Sequence, residues 1–162
     1  MRTECVDTLL KLLVSAKNDL KSLRWMKNAD FPSSRESFIP GVVQGYTFAL
    51  FRLESDEGDA LCAKLCDATM AAFPDHPFAY NMQAALAAAQ GKHADSARLL
   101  ETAISKAPND PLILLNLGDA YRKTKQPAKA KQTYTKVLEL SGIDDSFKKQ
   151  AAEAMKKVKA EQ

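Results

Sequence analysis

Pro74 and Pro108 stand 34 residues apart, and the strings around them, AFPDHPFAY and KAPNDPLIL, align without a gap. A fixed period of this size means one supersecondary unit copied along the chain, each copy burying its apolar face on the next. The period continues into residues 111–144, PLILLNLGDAYRKTKQPAKAKQTYTKVLELSGID, where two short helical patterns meet at a break around Lys125 to Pro127. Leu114, Leu117, Gly118 and Tyr121 fall on one face of the first pattern, and Ala130, Tyr134 and Val137 on one face of the second. That spacing predicts a helical hairpin, with Gly118 admitting a close approach between its two helices.

The order Leu-x2-Leu-Gly-x2-Tyr followed by Ala-x3-Tyr resembles the tetratricopeptide repeat, with Leu114 in place of the usual leading Trp. In the same register the unit 77–110 carries Tyr80, Gln83, Ala84, Ala87, Ser96, Leu100, Ala103 and Pro108 at the marker positions. The unit 43–76 carries Tyr46, Ala49, Leu50, Leu53, Cys62, Cys66, Thr69 and Pro74, where Leu50 departs from the small residue that the family favours. The resemblance implies an all-α fold, a right-handed α-solenoid of three helical hairpins at 43–76, 77–110 and 111–144.

Around these repeats the pattern predicts one domain over 1–162. An amphipathic helix over 3–27 has Val6, Leu9, Leu13, Ala16, Leu20 and Leu23 on one stripe. Trp25 and Met26 are expected to pack on the first hairpin, and 28–40 reads as a loop that places Pro40 in the first turn of the next helix. Helices follow at roughly 41–54, 58–72, 77–90, 94–106, 111–124 and 127–140. Gly142 is expected to end the last repeat, with Asp144 or Asp145 capping a C-terminal helix over about 145–160. Phe147, Ala151, Ala154 and Val158 give that helix a narrow apolar stripe and leave it otherwise solvating, as the end of a repeat stack requires.

Composition narrows the function classes. The stretch Leu9 to Val14 is broken by Lys11, so it is neither a secretory core nor a membrane span, and a cytoplasmic chain is expected. The other reading is a soluble piece of a longer, exported protein. Residues 121–162 hold 11 basic and 5 acidic residues, so the C-terminal end is a basic pole. Without interleaved aromatics it reads as a solvated face, and nucleic acid is disfavoured as a partner. Cys62 and Cys66, four residues apart, read as packing residues, because zinc needs about four ligands and only Cys5, His76 and His93 could join them.

No phosphate-binding glycine loop, zinc-spaced His-Glu pair or nucleophile with a matched base occurs, so no catalytic residue, metal or cofactor is expected. Tetratricopeptide proteins generally hold a peptide or helix in a groove lined by the first helix of each repeat. Carried onto this chain, the resemblance gives Gln44, Thr47, Phe51 and Glu54, then Phe78, Asn81, Ala85 and Ala88, then Leu112, Leu115, Asp119 and Arg122. Phe51, Phe78, Leu112 and Leu115 exposed together would form an apolar patch, with Asn81 clamping a backbone amide. The expected function is a non-catalytic scaffold or adaptor for a protein or peptide with an apolar or amphipathic segment. The plainer reading has the chain's own terminal helices filling that groove.

Repeats that grip the acidic tail of heat-shock chaperones carry charged or amide residues where this chain has Thr47, Phe51, Met82 and Leu112; at Asn116, where they carry a basic residue, only polarity is kept. A carboxylate-tail clamp is therefore not expected. The layout is also similar to the small chaperones of type III secretion translocators. A further reading is a self-associating subunit, with Phe78 and Leu115 packed against a second copy.

Overall fold

The computed structural model describes residues 2–19 and 35–160, which form eight helices. In order they are α1 (Arg2–Asp19), α2 (Arg35–Phe51), α3 (Asp56–Ala72), α4 (Pro77–Ala89), α5 (His93–Lys106), α6 (Pro111–Lys123), α7 (Pro127–Glu139) and α8 (Asp145–Ala160). The described chain is all-helical and built of hairpins, the construction of an α-solenoid. It divides into two compact units, Met1–Met82 and Gln83–Gln162, with the boundary inside α4.

In the second unit, α6 packs on α5 and α7, and α8 packs on α7 and α6. Local chemistry sets the helix ends. Asp110 accepts hydrogen bonds from the Leu112 and Ile113 amides at 2.9 and 3.0 Å, and Pro111 follows at the first helical position, where its missing donor costs nothing. α4 closes with Gly91 at φ +75°, where the Lys92 amide reaches the Ala87 carbonyl at 2.8 Å and the Gly91 amide reaches Ala88 at 3.0 Å. That pair of bonds is the Schellman arrangement. One period later Lys125, at φ +57°, takes the same position: Gln126 donates to the Tyr121 carbonyl at 2.8 Å and Lys125 to Arg122 at 3.1 Å. α7 ends on the extended C-cap Leu140 rather than on Gly142, which takes φ +70° in the turn beyond, and Asp144 accepts the Ser146 amide at 2.8 Å to start α8. The Ser146 hydroxyl, and after it the Ser146 amide, hold the Asp144 carboxyl below its ordinary range.

The core of this unit follows the predicted stripes. Leu114, Leu117, Ala130, Tyr134 and Val137 are buried, as are Ala151 and Val158 of α8. Each fully buried aliphatic side chain contributes about 1.5–3 kcal/mol of transfer free energy.

In the first unit, α1 and α2 both pack on α3. Val6 and Leu13 of α1 are buried, and Leu9 is half-buried. Ser55 caps α3 by accepting the Gly58 amide at 3.1 Å. Cys62 and Cys66 lie in the core, where the Cys62 thiol donates to the Thr47 carbonyl at 3.6 Å. The bond with Cys62, together with burial, keeps the Cys66 thiol protonated.

Two expectations change here. α2 starts at Arg35, so 35–40 is helix rather than loop, and Pro40 sits buried inside α2 instead of in its first turn. As the sixth helical residue, Pro40 removes only the bond to the carbonyl of residue 36, and its ring becomes core. The first hairpin also turns early. α2 ends at Phe51, with Glu54 at φ +49° in the turn, and α3 starts at Asp56. The side chain of Ala16, and residues 20–34 with Leu20, Leu23, Trp25 and Met26, lie outside the described residues.

Candidate functional site

The groove positions read from the sequence fall in both units. In the first unit, Gln44 and Glu54 are exposed and Phe51 is half-buried. Thr47 is fully buried, its hydroxyl donating to the Val43 carbonyl at 2.7 Å. Phe78 and Asn81 are also buried, Phe78 meeting the His76 ring edge-on at a centroid distance of 6.5 Å. In the second unit Leu115 is buried and Leu112 is 48% exposed. The expected patch of Phe51, Phe78, Leu112 and Leu115 is therefore not a surface. Two of its four members are core, because the register says which way a position points but not how deeply its neighbours cover it.

What the second unit presents instead is a cavity of about 490 Å³. Ala84, Ala85 and Ala88 from α4 and Ala120 from α6 line it with methyl groups, Ser96 and Leu100 of α5 contribute buried wall, and His93, Asn116, Asp119, Arg122 and Lys123 supply its polar lining. The space exists because four alanines stand where longer side chains would fill it. Of the predicted residues, Ala85, Ala88, Asp119 and Arg122 are brought together here, and Leu112 and Leu115 are not. His93, Asn116 and Lys123 were missed; one signal was available, since Asn116, Ala120 and Lys123 follow at helical spacing on the Asp119 side of α6.

Asp119 is tied into its own hairpin. Its Oδ1 accepts a 2.8 Å hydrogen bond from the Tyr134 hydroxyl and lies 3.5 Å from Arg122 Nε. Burial raises the Tyr134 phenol, and the Asp119 carboxylate adds to the rise. The Arg122 side chain is only 15% exposed, so its charge is committed beside Asp119, whereas Lys123 is exposed. Behind the cavity, the Tyr121 hydroxyl donates to Glu101 at 2.7 Å and Lys129 sits 5.1 Å above the Tyr121 ring, joining α5, α6 and α7. The α5 and α6 walls are thereby fixed by packing and hydrogen bonds.

The first unit holds a second, more open crevice of about 640 Å³ between α1 and α2, lined by Cys5, Leu9, Val42, Gly45, Tyr46 and Ala49 among others. Phe48, 53% exposed, stands on the same helix. Among the described residues, no three His, Cys, Asp or Glu side chains converge as metal ligands, and no helix is long and apolar enough to cross a membrane.

Comparison with known proteins relates part of the chain to a known repeat. Residues 87–141 match the family model for the tetratricopeptide repeat. Two solved structures share the fold. The first tetratricopeptide domain of Spaghetti (RPAP3), bound to the HSP90 peptide SRMEEVD, is 18% identical with a TM-score of 0.63, covering 74% of this chain and 89% of that one. The tetratricopeptide domain of Sgt2 from Aspergillus fumigatus is 19% identical with a TM-score of 0.62, covering 82% of this chain and 84% of that one. No curated protein sequence matches the chain. Residues 87–141 thus carry a tetratricopeptide-repeat signature, and the chain shares the fold of these solved tetratricopeptide domains.

Proposed function

We propose that this chain is a non-catalytic interaction module that holds a segment of a partner protein by seating one of its apolar side chains in the alanine-lined cavity of the second unit. The observation that carries this reading is the cavity itself. About 490 Å³ of methyl-lined space lies within the size range of ligand pockets and takes one or two large side chains, with a few polar groups to orient what enters. An extended or helical segment that buries a single anchor while its backbone meets rim amides is a common recognition mode.

The solved Spaghetti domain holds a peptide, which supports the same class of ligand here. The chemistry differs. Thr47 and Met82 are buried and Leu112 is apolar, so an acidic chain terminus would find no basic residue at those positions. The site suits a side-chain anchor within a segment.

The test uses acetylated, amidated nonapeptide pools with random flanks and either Leu or Ala fixed at the centre. The wild type should hold the Leu pool at least about tenfold more tightly, the difference expected from burying the larger side chain. Ala88→Phe, which puts a ring into the cavity, should remove the preference while helicity and melting stay near wild type. Equal retention of both pools by the wild type would sink this function.

A further inference from the structure

We propose that the segment bound in this cavity carries an acidic side chain within three residues of its apolar anchor, and that Lys123 selects it. The inference rests on the peptide-binding reading above and adds the charge of the ligand, an internal carboxylate rather than a chain end.

The balance of charge around the cavity carries it. The charged groups lining the space are Asp119, Arg122 and Lys123. Asp119 is the one acidic member, and its carboxylate already receives the Tyr134 hydroxyl and faces Arg122. Arg122 is correspondingly drawn down against α6, with most of its side chain covered. A ligand meets that pair as a nearly neutral unit: the Asp119 side chain is 56% exposed, but its charge is matched by Arg122 beside it. Lys123 belongs to the next position of the helix, is exposed, and reaches the same cavity on a long flexible stem. Its charge is the surplus one at the mouth. The methyl-lined surface beside it lowers the local dielectric, so an ion pair formed there is screened less than one on an open face.

A basic residue on the ligand would meet Lys123 at short range, and the Asp119 charge that could draw it is already balanced by Arg122 at 3.5 Å. Anchor and charge together thus define an amphipathic segment of stated sign.

The experiment fixes Leu at the centre of capped nonapeptides and places a single Glu, Gln or Lys in turn at each of the three positions on either side. Because both ends are capped, no terminal carboxylate contributes. Wild type should bind the best Glu series about three- to fivefold more tightly than its Gln counterpart at low salt, the range of a partly exposed ion pair, and the advantage should shrink as salt rises. Lys123→Gln should erase the advantage, and Lys123→Glu should turn it into a preference for Lys. Equal binding of the three series, or a Glu preference that survives Lys123→Glu, overturns the charge selection while leaving the anchor reading intact. Loss of all binding, or binding indifferent to Ala88→Phe, overturns both.

Discussion

The ring of Tyr134 lies against the backbone of Gly118, so that a Cβ built on Gly118 would stand 2.7 Å from the ring Cζ and 2.8 Å from Cδ1. One period earlier the same two positions hold Ala84 and Leu100, and one earlier still Leu50 and Cys66, all buried. As the first member grows from Gly to Ala to Leu, the second shrinks from Tyr to Leu to Cys. The hairpins keep a similar filled volume with opposite divisions of it, which is what dense packing demands. Gly118→Ala should therefore cost about 1–3 kcal/mol through overpacking against a rigid ring, outweighing the roughly 1 kcal/mol of helix propensity gained. Adding Tyr134→Leu copies the Ala84 and Leu100 pair and should recover much of that loss. Urea melts of the four proteins in a double-mutant cycle give the coupling, and simple additivity would remove the compensation.

Lys125 and Gly91 occupy the same left-handed position in successive hairpins, but only one of them is glycine. A side chain there carries a left-handed penalty of about 1–2 kcal/mol, offset partly by the extra freedom glycine has in the unfolded chain. Lys125→Gly should stabilise by about 0.5–1 kcal/mol, raising the apparent melting midpoint by several degrees. A midpoint unchanged or lowered would mean that the Lys125 side chain contributes more than its backbone costs.

Tyr121 is pushed up to about 12 by burial, with the Glu101 carboxylate that accepts its hydroxyl proton adding to the rise. An unfolded tyrosine ionises near 10, so between those values the folded chain binds more protons than the unfolded one. The contribution is complete below about pH 10 and is lost as pH rises towards 12. Stability should fall across that window, and Tyr121→Phe should flatten the fall, leaving the part due to Tyr134. Urea midpoints at pH 9 and 11.5 for both proteins check it, and parallel slopes would place the alkaline sensitivity elsewhere.

The contrast between what could and could not be read in the sequence follows the range of the interactions. The break at Pro127 and the Asp144 cap of α8 could be read because each acts on atoms within a few residues of itself. Pro40 misled for the same reason. A first-turn proline is the commoner local solution, and only tertiary burial made an interior one acceptable. Leu50 looked like a defect when compared with a repeat consensus and becomes sensible only beside Cys66. The cavity was hardest to foresee, since it is made by Ala84, Ala85, Ala88 and Ala120, and an alanine in a helix ordinarily signals nothing but helix.

Leu112 and Leu115, three residues apart on α6, were both read as groove residues, and their different burial separates the two versions of the surface. Leu115 is 6% exposed, so Leu115→Glu would place a carboxylate in the core with no partner and should cost about 3–5 kcal/mol, a large share of a typical domain's stability. Leu112 is about half exposed and sits in the first turn of α6, which has no acidic residue. A carboxylate there interacts favourably with the amide end of the helix, so Leu112→Glu should stay within about 0.5 kcal/mol of wild type. Circular dichroism melts of the two variants decide the matter. Helicity retained by Leu115→Glu would return that residue to the surface and restore the wider apolar groove. Loss of helicity by Leu115→Glu alone, with Leu112→Glu melting normally and still binding the Leu-centred peptides, would locate recognition in the alanine cavity.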